Sequence, residues 1–187
     1  MIDLDANQIK LAATLMGHMP EKIPHMLANV ANRVVAGIRT DASRQAREAY
    51  TVKLEGAWSK IRVSKASASN LLATVRVKGS PIPLSKFNIR PNSAPSVGRQ
   101  KKPIFAQVLK ARGGTLKKAF LARGENGIGV YRRLSAARNP IGQHYGPSVP
   151  QMMGHTDVSG KIERLAKERL DKRFEHELNR YLRGINI

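Results

Sequence analysis

Cysteine is absent from this 187-residue chain, which excludes disulfides, cysteine nucleophiles and thiolate metal sites together. Aromatic residues make up only 5%, so a core must be filled mainly by Ala, Leu, Ile and Val. Apolar residues still reach 41%, enough for one domain, or one domain with a helical extension. No apolar run approaches the roughly 18 residues of a membrane-spanning helix, and no membrane partner is expected. The opening Met1 to Ala6 lacks the basic and apolar regions of a signal peptide, so assembly in a reducing cytoplasm is the expectation.

Carboxylates are scarce, and unevenly so. Lys and Arg number 33 against 13 Asp and Glu, a formal net charge of +20. From Gly56 to Thr156 the only acidic residue is Glu125, while the same stretch carries 18 basic residues, from Lys60 to Arg138. Self-repulsion on this scale works against a compact state. Contact with something anionic, nucleic acid or an acidic protein surface, is the physical reason to carry it. Composition does not choose between the two.

The same scarcity argues against catalysis. Paired-carboxylate hydrolysis needs two acids to converge, and a two-metal nuclease needs several. The five histidines, His18, His25, His144, His155 and His176, form no compact ligand spacing. Gly146-Pro-Ser-Val-Pro150 has proline where a nucleophile elbow has glycine, and suits a rigid turn with a helix cap instead. Gly124 to Gly129 has the wrong order for a dinucleotide fingerprint. No enzyme, no cofactor and no metal site is expected.

Three segments differ in character: 1–55 helical, 56–155 basic and β-rich, and 156–187 an amphipathic helix. In the first, Asn7 to Met16 suits a short helix. A long helix should begin near Pro24, with Leu27, Val30, Ala31, Val34, Val35, Ile38, Ala42 and Ala46 at helical spacing. Gly37 interrupts that stripe at about 1 kcal/mol relative to Ala, a place for a bend. In the second, Lys60–Lys65 alternates as a strand, Leu71–Val77 is β-rich, and Leu84–Ile89 suits an edge strand. Residues 105–110 and 116–122 flank Gly113-Gly114, a candidate two-glycine hairpin turn. Four to six short strands are expected. Ser148 should cap a short helix through Met153. A long helix should follow from Asp157 to Arg183, with Glu163–Lys167 and Glu168–Lys172 four apart on its outer face. The expected fold is α+β: a small, mostly antiparallel sheet packed on the long N-terminal helix, with a long C-terminal helix on the same core or projecting to a neighbour.

The candidate contact residues for an anionic partner, DNA or acidic protein, are Arg99, Lys101 and Lys102 in a Pro/Ser-flanked loop, followed by Lys110, Arg112, Lys117, Lys118 and Arg123. Such an arm and ribbon suits phosphates; the alternative is that these lysines guard a strand edge against pairing. Few aromatics interleave the charges, which argues against base stacking and for contacts insensitive to sequence.

The stretch Asn139-Pro-Ile-Gly-Gln-His-Tyr-Gly-Pro-Ser-Val-Pro-Gln-Met152 resembles the most characteristic segment of phage tail-completion proteins of the minor tail protein Z type, where a Pro-Ile pair precedes a Gly-Pro-Ser-Val/Ile-Pro run. Ile61–Ala66, Leu71–Val77, Ile82–Phe87, Ala119–Ala122 and Gly129–Arg133 also follow that family's order, so the likeness covers roughly residues 25–155. The resemblance implies a structural protein of the virion tail at its head-proximal end, needed for head–tail joining. It implies a ring of copies against the tail terminator, tail tube or head–tail connector, with the phage DNA end near by, held through phosphates. The assembly interface it points to is Pro140, Ile141, Gly146, Pro147, Ser148, Val149, Pro150 and Met152. Asp at Val149 or Met152 is then expected to leave a soluble chain and unjoined tails. The alternative function is a non-sequence-specific nucleic-acid-binding accessory protein unrelated to particles.

Overall fold

The structure, a computed structural model, describes residues 21–53, 56–93, 102–124 and 127–183, with Lys10 and Thr14. Most of the expected Asn7–Met16 helix lies outside them. Along the chain come α1 (Lys22–Ala49), a 3-10 turn (Ala57–Lys60), β1 (Ile61–Ser64), β2 (Thr74–Val77), β3 (Ile82–Pro83), a second 3-10 turn (Leu84–Lys86), β4 (Asn88–Arg90) and β5 (Ile104–Leu109). They are followed by β6 (Arg112–Leu116), β7 (Ala119–Gly124), β8 (Gly127–Arg133), β9 (Ile141–Gln143), β10 (Tyr145–Gly146), α2 (Val149–Gly154) and α3 (Thr156–Arg183). The class is α+β with antiparallel pairing throughout. Among the described residues the strands number ten rather than four to six, in the small sheets β1-β2, β3-β10, β4-β5-β6 and β7-β8-β9. No described helix is long and apolar enough to cross a membrane.

The chain forms two compact units, one of Met1–Gln45, Ile61–Val77 and Thr156–Ile187, the other of Ala46–Lys60 and Lys78–His155. The first is a helix pair with a hairpin. Met26, Leu27, Val30 and Val34 recur at helical spacing on α1 and pack against Leu170, Phe174 and Leu178 of α3, with Ile23, Ile38, Tyr181 and Leu182 at the margin. The two long helices therefore pair within one subunit. Two buried acids set their register. Glu177 lies 3.1 Å from Arg33 Nε of α1 and 2.9 Å from Arg180 Nη2 on its own helix. Asp41 lies 2.5 Å from Arg169 Nη2 of α3 and 3.5 Å from Arg44 Nη2 on its own helix. Moving eight residues forward along α1, from Arg33 to Asp41, moves eight back along α3, so the helices run antiparallel.

Gly37 has a use other than a bend. A Cβ there would come within 2.5 Å of Arg169 Nε, so the missing side chain is the slot through which Arg169 reaches Asp41, one turn further on. On the outer face Glu168 pairs back to Arg164 at 3.9 Å rather than forward to Lys172, an exposed contact of little energetic consequence. The β1–β2 hairpin is tied to α1 by Asn32, whose side-chain amide donates to Ala66 O (3.0 Å) and accepts from Ala66 N (2.7 Å) as a strand partner would.

In the second unit Thr51 is the joint. Its N–H donates to Val108 O at 3.0 Å, its hydroxyl donates to Gln107 O, and it accepts from Asn88 N at 3.3 Å. Lys53 N then donates to Lys86 O at 2.7 Å. The expected Leu84–Ile89 strand is divided: Leu84–Lys86 forms a turn closed by Phe87 N to Leu84 O (3.1 Å), and only Asn88–Arg90 pairs with β5. The hairpin turn also moves. It falls at Lys110-Ala111, and Gly113-Gly114 lie inside β6, while 119–122 belong to β7 in another sheet. The Phe105 ring occupies the space a Gly113 side chain would need, so this glycine serves a diagonal cross-strand contact rather than a turn.

Candidate functional site

Charge divides unequally between the units. By sequence the second holds 17 basic residues and 3 acidic ones, Glu48, Glu55 and Glu125, so its own carboxylates are too few to neutralise it. Of the candidate contact residues, Arg99 and Lys101 lie outside the described residues. Lys102, Lys110, Arg112, Lys117, Lys118 and Arg123 are all exposed and all in this unit. They do not form one stripe. Lys110 and Arg112 sit at the β5–β6 turn. Lys117 and Lys118 sit at the opposite end of the ribbon, where Ile104 faces Leu116, two residues beyond Lys102. The two groups are roughly 16 Å apart at about 3.3 Å per strand residue. Arg123 stands in the other sheet, opposite Ile128. β6 is also an edge strand, so guarding that edge remains a second use for the same charges.

The expected assembly residues divide by depth. Pro140 and Ile141 are exposed, Ile141 at 42%, and Gly146, Pro147 and Pro150 are half-buried. Ser148, Val149 (3% exposed) and Met152 (0%) are buried. Ser148 caps α2, its hydroxyl accepting from Gln151 N (3.4 Å) while Gln151 Oε1 accepts from Ser148 N (2.8 Å). Gly79 allows α2 to dock: a Cβ there would lie 3.2 Å from Pro150 Cδ. Asp at Val149 or Met152 therefore strikes the core, and the soluble chain expected of those variants gives way to a folding defect. Ile141 and Pro140 are the positions whose substitution leaves the core untouched.

A second basic feature escaped the sequence reading. Lys53, Lys86 and Arg90 line a cleft of about 570 Å³, with Ser85, Asn88 and Asn92 among its polar walls. Lys53 and Lys86 meet there because of the 2.7 Å backbone hydrogen bond between them. A neighbouring hollow of about 400 Å³ shares Ser85, Lys86, Gly127 and Ile128 and adds Tyr131, Gln143 and Tyr145. The lysines lie 33 positions apart with nothing in the chain to link them.

His144 backs this region. Its N–H donates to Val130 O at 2.8 Å and its carbonyl accepts from Leu84 N at 3.0 Å. Burial, and then the Arg132 charge, push its pKa below the ordinary 6.5. The unfolded chain thus takes up this proton first. The stability contributed by a neutral His144 is complete above about pH 6.5 and is lost as pH falls through the folded-state value. Urea midpoints should fall between pH 7.5 and pH 5.5 by less in His144→Gln than in the parent; equal falls would refute the assignment.

Fold and surface together define an α+β protein with a strongly basic second unit. Among the described residues, no three His, Cys, Asp or Glu side chains converge as a metal would need. The model of the prophage minor tail protein Z family matches residues 13–186, and the chain belongs to that family. It is thus a structural protein of a phage tail. No curated protein and no solved structure matches the chain significantly.

Proposed function

We propose that this tail protein is a tail-completion protein. It acts at the head-proximal end of the tail, where a ring of copies prepares the tail for joining to the filled head, and it is a structural component rather than an enzyme. The carrying observation is the charge of the second unit, 17 basic residues against 3 acidic. A tail joint brings together two kinds of anionic surface, the DNA end and acidic neck proteins. A basic unit meets either without reading sequence. Tail terminator, tube and connector are the partners this placement proposes.

Deletion of the gene should leave full heads and free tails of normal length in micrographs, with joining restored by the wild-type chain. Label on the restored chain should mark the head-proximal end. Joined, infectious particles without the protein would overturn the reading. Label absent from particles would favour the accessory nucleic-acid-binding alternative.

A further inference from the structure

We propose that the two adjoining hollows of the second unit form a binding groove for single-stranded nucleic acid, with phosphates on Lys53, Lys86 and Arg90 and a base on Tyr131. The cleft and its neighbour, about 570 and 400 Å³, are of the size that holds small-molecule and nucleotide-like ligands. They share the wall around Lys86, so a strand following the cations passes directly to the aromatic end. Three exposed cations hold one cleft, and no carboxylate stands among its described lining residues. Lys53 and Lys86, whose backbones are held together by a hydrogen bond, both line the cleft, so an anion there meets two positive charges at once.

The aromatic end separates a nucleic acid from an acidic peptide. Two ring atoms of Tyr131, Cε2 and Cζ, lie 2.7 and 2.8 Å from where a Gly129 Cβ would stand, and its hydroxyl lies 2.8 Å from that point and 2.6 Å from the corresponding point at Gly124. The ring edge therefore covers Gly129 and its hydroxyl covers Gly124, with the Phe120 ring beside it at 6.2 Å between centroids. Tyr145, 53% exposed, donates its hydroxyl to Gln143 Oε1 at 3.0 Å. That bond leaves the Gln143 amide N–H groups to a base edge. A cationic track ending on aromatic rings that line the adjoining hollow is the arrangement that holds single strands, a ring stacking any base. An acidic peptide would use the cations alone. Counting aromatics along the chain argues against stacking; the fold brings Tyr131 and Tyr145 to Lys86 all the same.

Placement in the tail does not enter this inference, and its test is made on the purified full chain. Fluorescence anisotropy would compare a short labelled oligothymidylate, an abasic strand of equal length, the matching duplex and poly-glutamate. The base-bearing strand should bind about tenfold or more tightly than the abasic one. Tyr131→Leu, which keeps an apolar cover on Gly129, should remove that difference, as should the exposed Tyr145→Ala in part. Lys53→Ala with Lys86→Ala should weaken both strands and lower the salt slope by about one and a half units. Urea midpoints within error of the parent would show the variants folded. Equal binding of abasic and base-bearing strands, indifference to Tyr131→Leu and Tyr145→Ala in folded protein, or poly-glutamate binding that oligothymidylate does not displace would each overturn it.

Discussion

Val149→Asp and Met152→Asp should each abolish cooperative folding of the second unit. Val149 is 3% exposed and Met152 0%. Removing such a side chain from the core forfeits about 1.5–3 kcal/mol of apolar burial. The incoming carboxylate adds several kcal/mol, because at a buried position it must ionise away from water or take up a proton. Together these approach or exceed a total stability of about 5–15 kcal/mol. The Ser148–Gln151 capping box contributes about 1 kcal/mol and cannot offset the loss. The expected readout is an insoluble or protease-sensitive product, or the loss of the unit's urea transition. Ile141→Asp, at 42% exposure, is the contrast: the chain stays folded, and any effect falls on assembly. A normal urea midpoint for Val149→Asp would mean that α2 is not docked as described.

How much of this was legible in the sequence follows from where each signal lives. The α1 and α3 stripes repeat every three to four residues, so periodicity alone marked both helices and most of the residues they bury. Ser148 with Gln151 is a local pattern, and it marked the start of α2. The strands were harder because a strand of two to four residues, such as β3 or β4, has too few alternations to register a period. Gly113-Gly114 has the composition of a turn but is used as strand, because the Phe105 ring needs the space; the deciding neighbour is eight residues away. The Gly-Pro-Ser-Val-Pro run marked the family and mixed two roles, since the sequence does not say which of its side chains point inward. The Lys53–Lys86 cleft depends on a backbone bond between distant segments, and no local pattern encodes it. Gly37 is similar: its cost to the helix was legible, and its partner Arg169, 132 residues on, was not.

In the helix pair, removing the positive charges should cost far more than removing the negative one they serve. Glu177 is 0% exposed, while Arg33 and Arg180 are 51% and 50% exposed. Neither carboxylate oxygen has a well-aligned hydrogen bond among the described residues, so charge proximity alone compensates its burial. Glu177→Leu takes a costly ion out of the core and lets two half-exposed guanidinium groups return to water. The expected stability change is about zero or a gain of about 1 kcal/mol or more. Arg33→Ala combined with Arg180→Ala leaves the carboxylate buried and unpaired, at about 3–5 kcal/mol. The Asp41 cluster repeats the arrangement with the helices exchanged: one arginine from the opposite helix, Arg169, and one three residues on, Arg44. Two such clusters eight residues apart are poorly suited to adding stability but well suited to fixing register, because a one-turn slip of α3 would strand both acids at once. The apolar stripe by itself is more tolerant of such a slip. Glu177→Leu should accordingly preserve the urea midpoint, while Glu177→Leu with Asp41→Leu should broaden the helix resonances in NMR spectra as alternative registers become populated. A sharp, single set of resonances in the double variant would show that the apolar contacts alone determine how the two helices align.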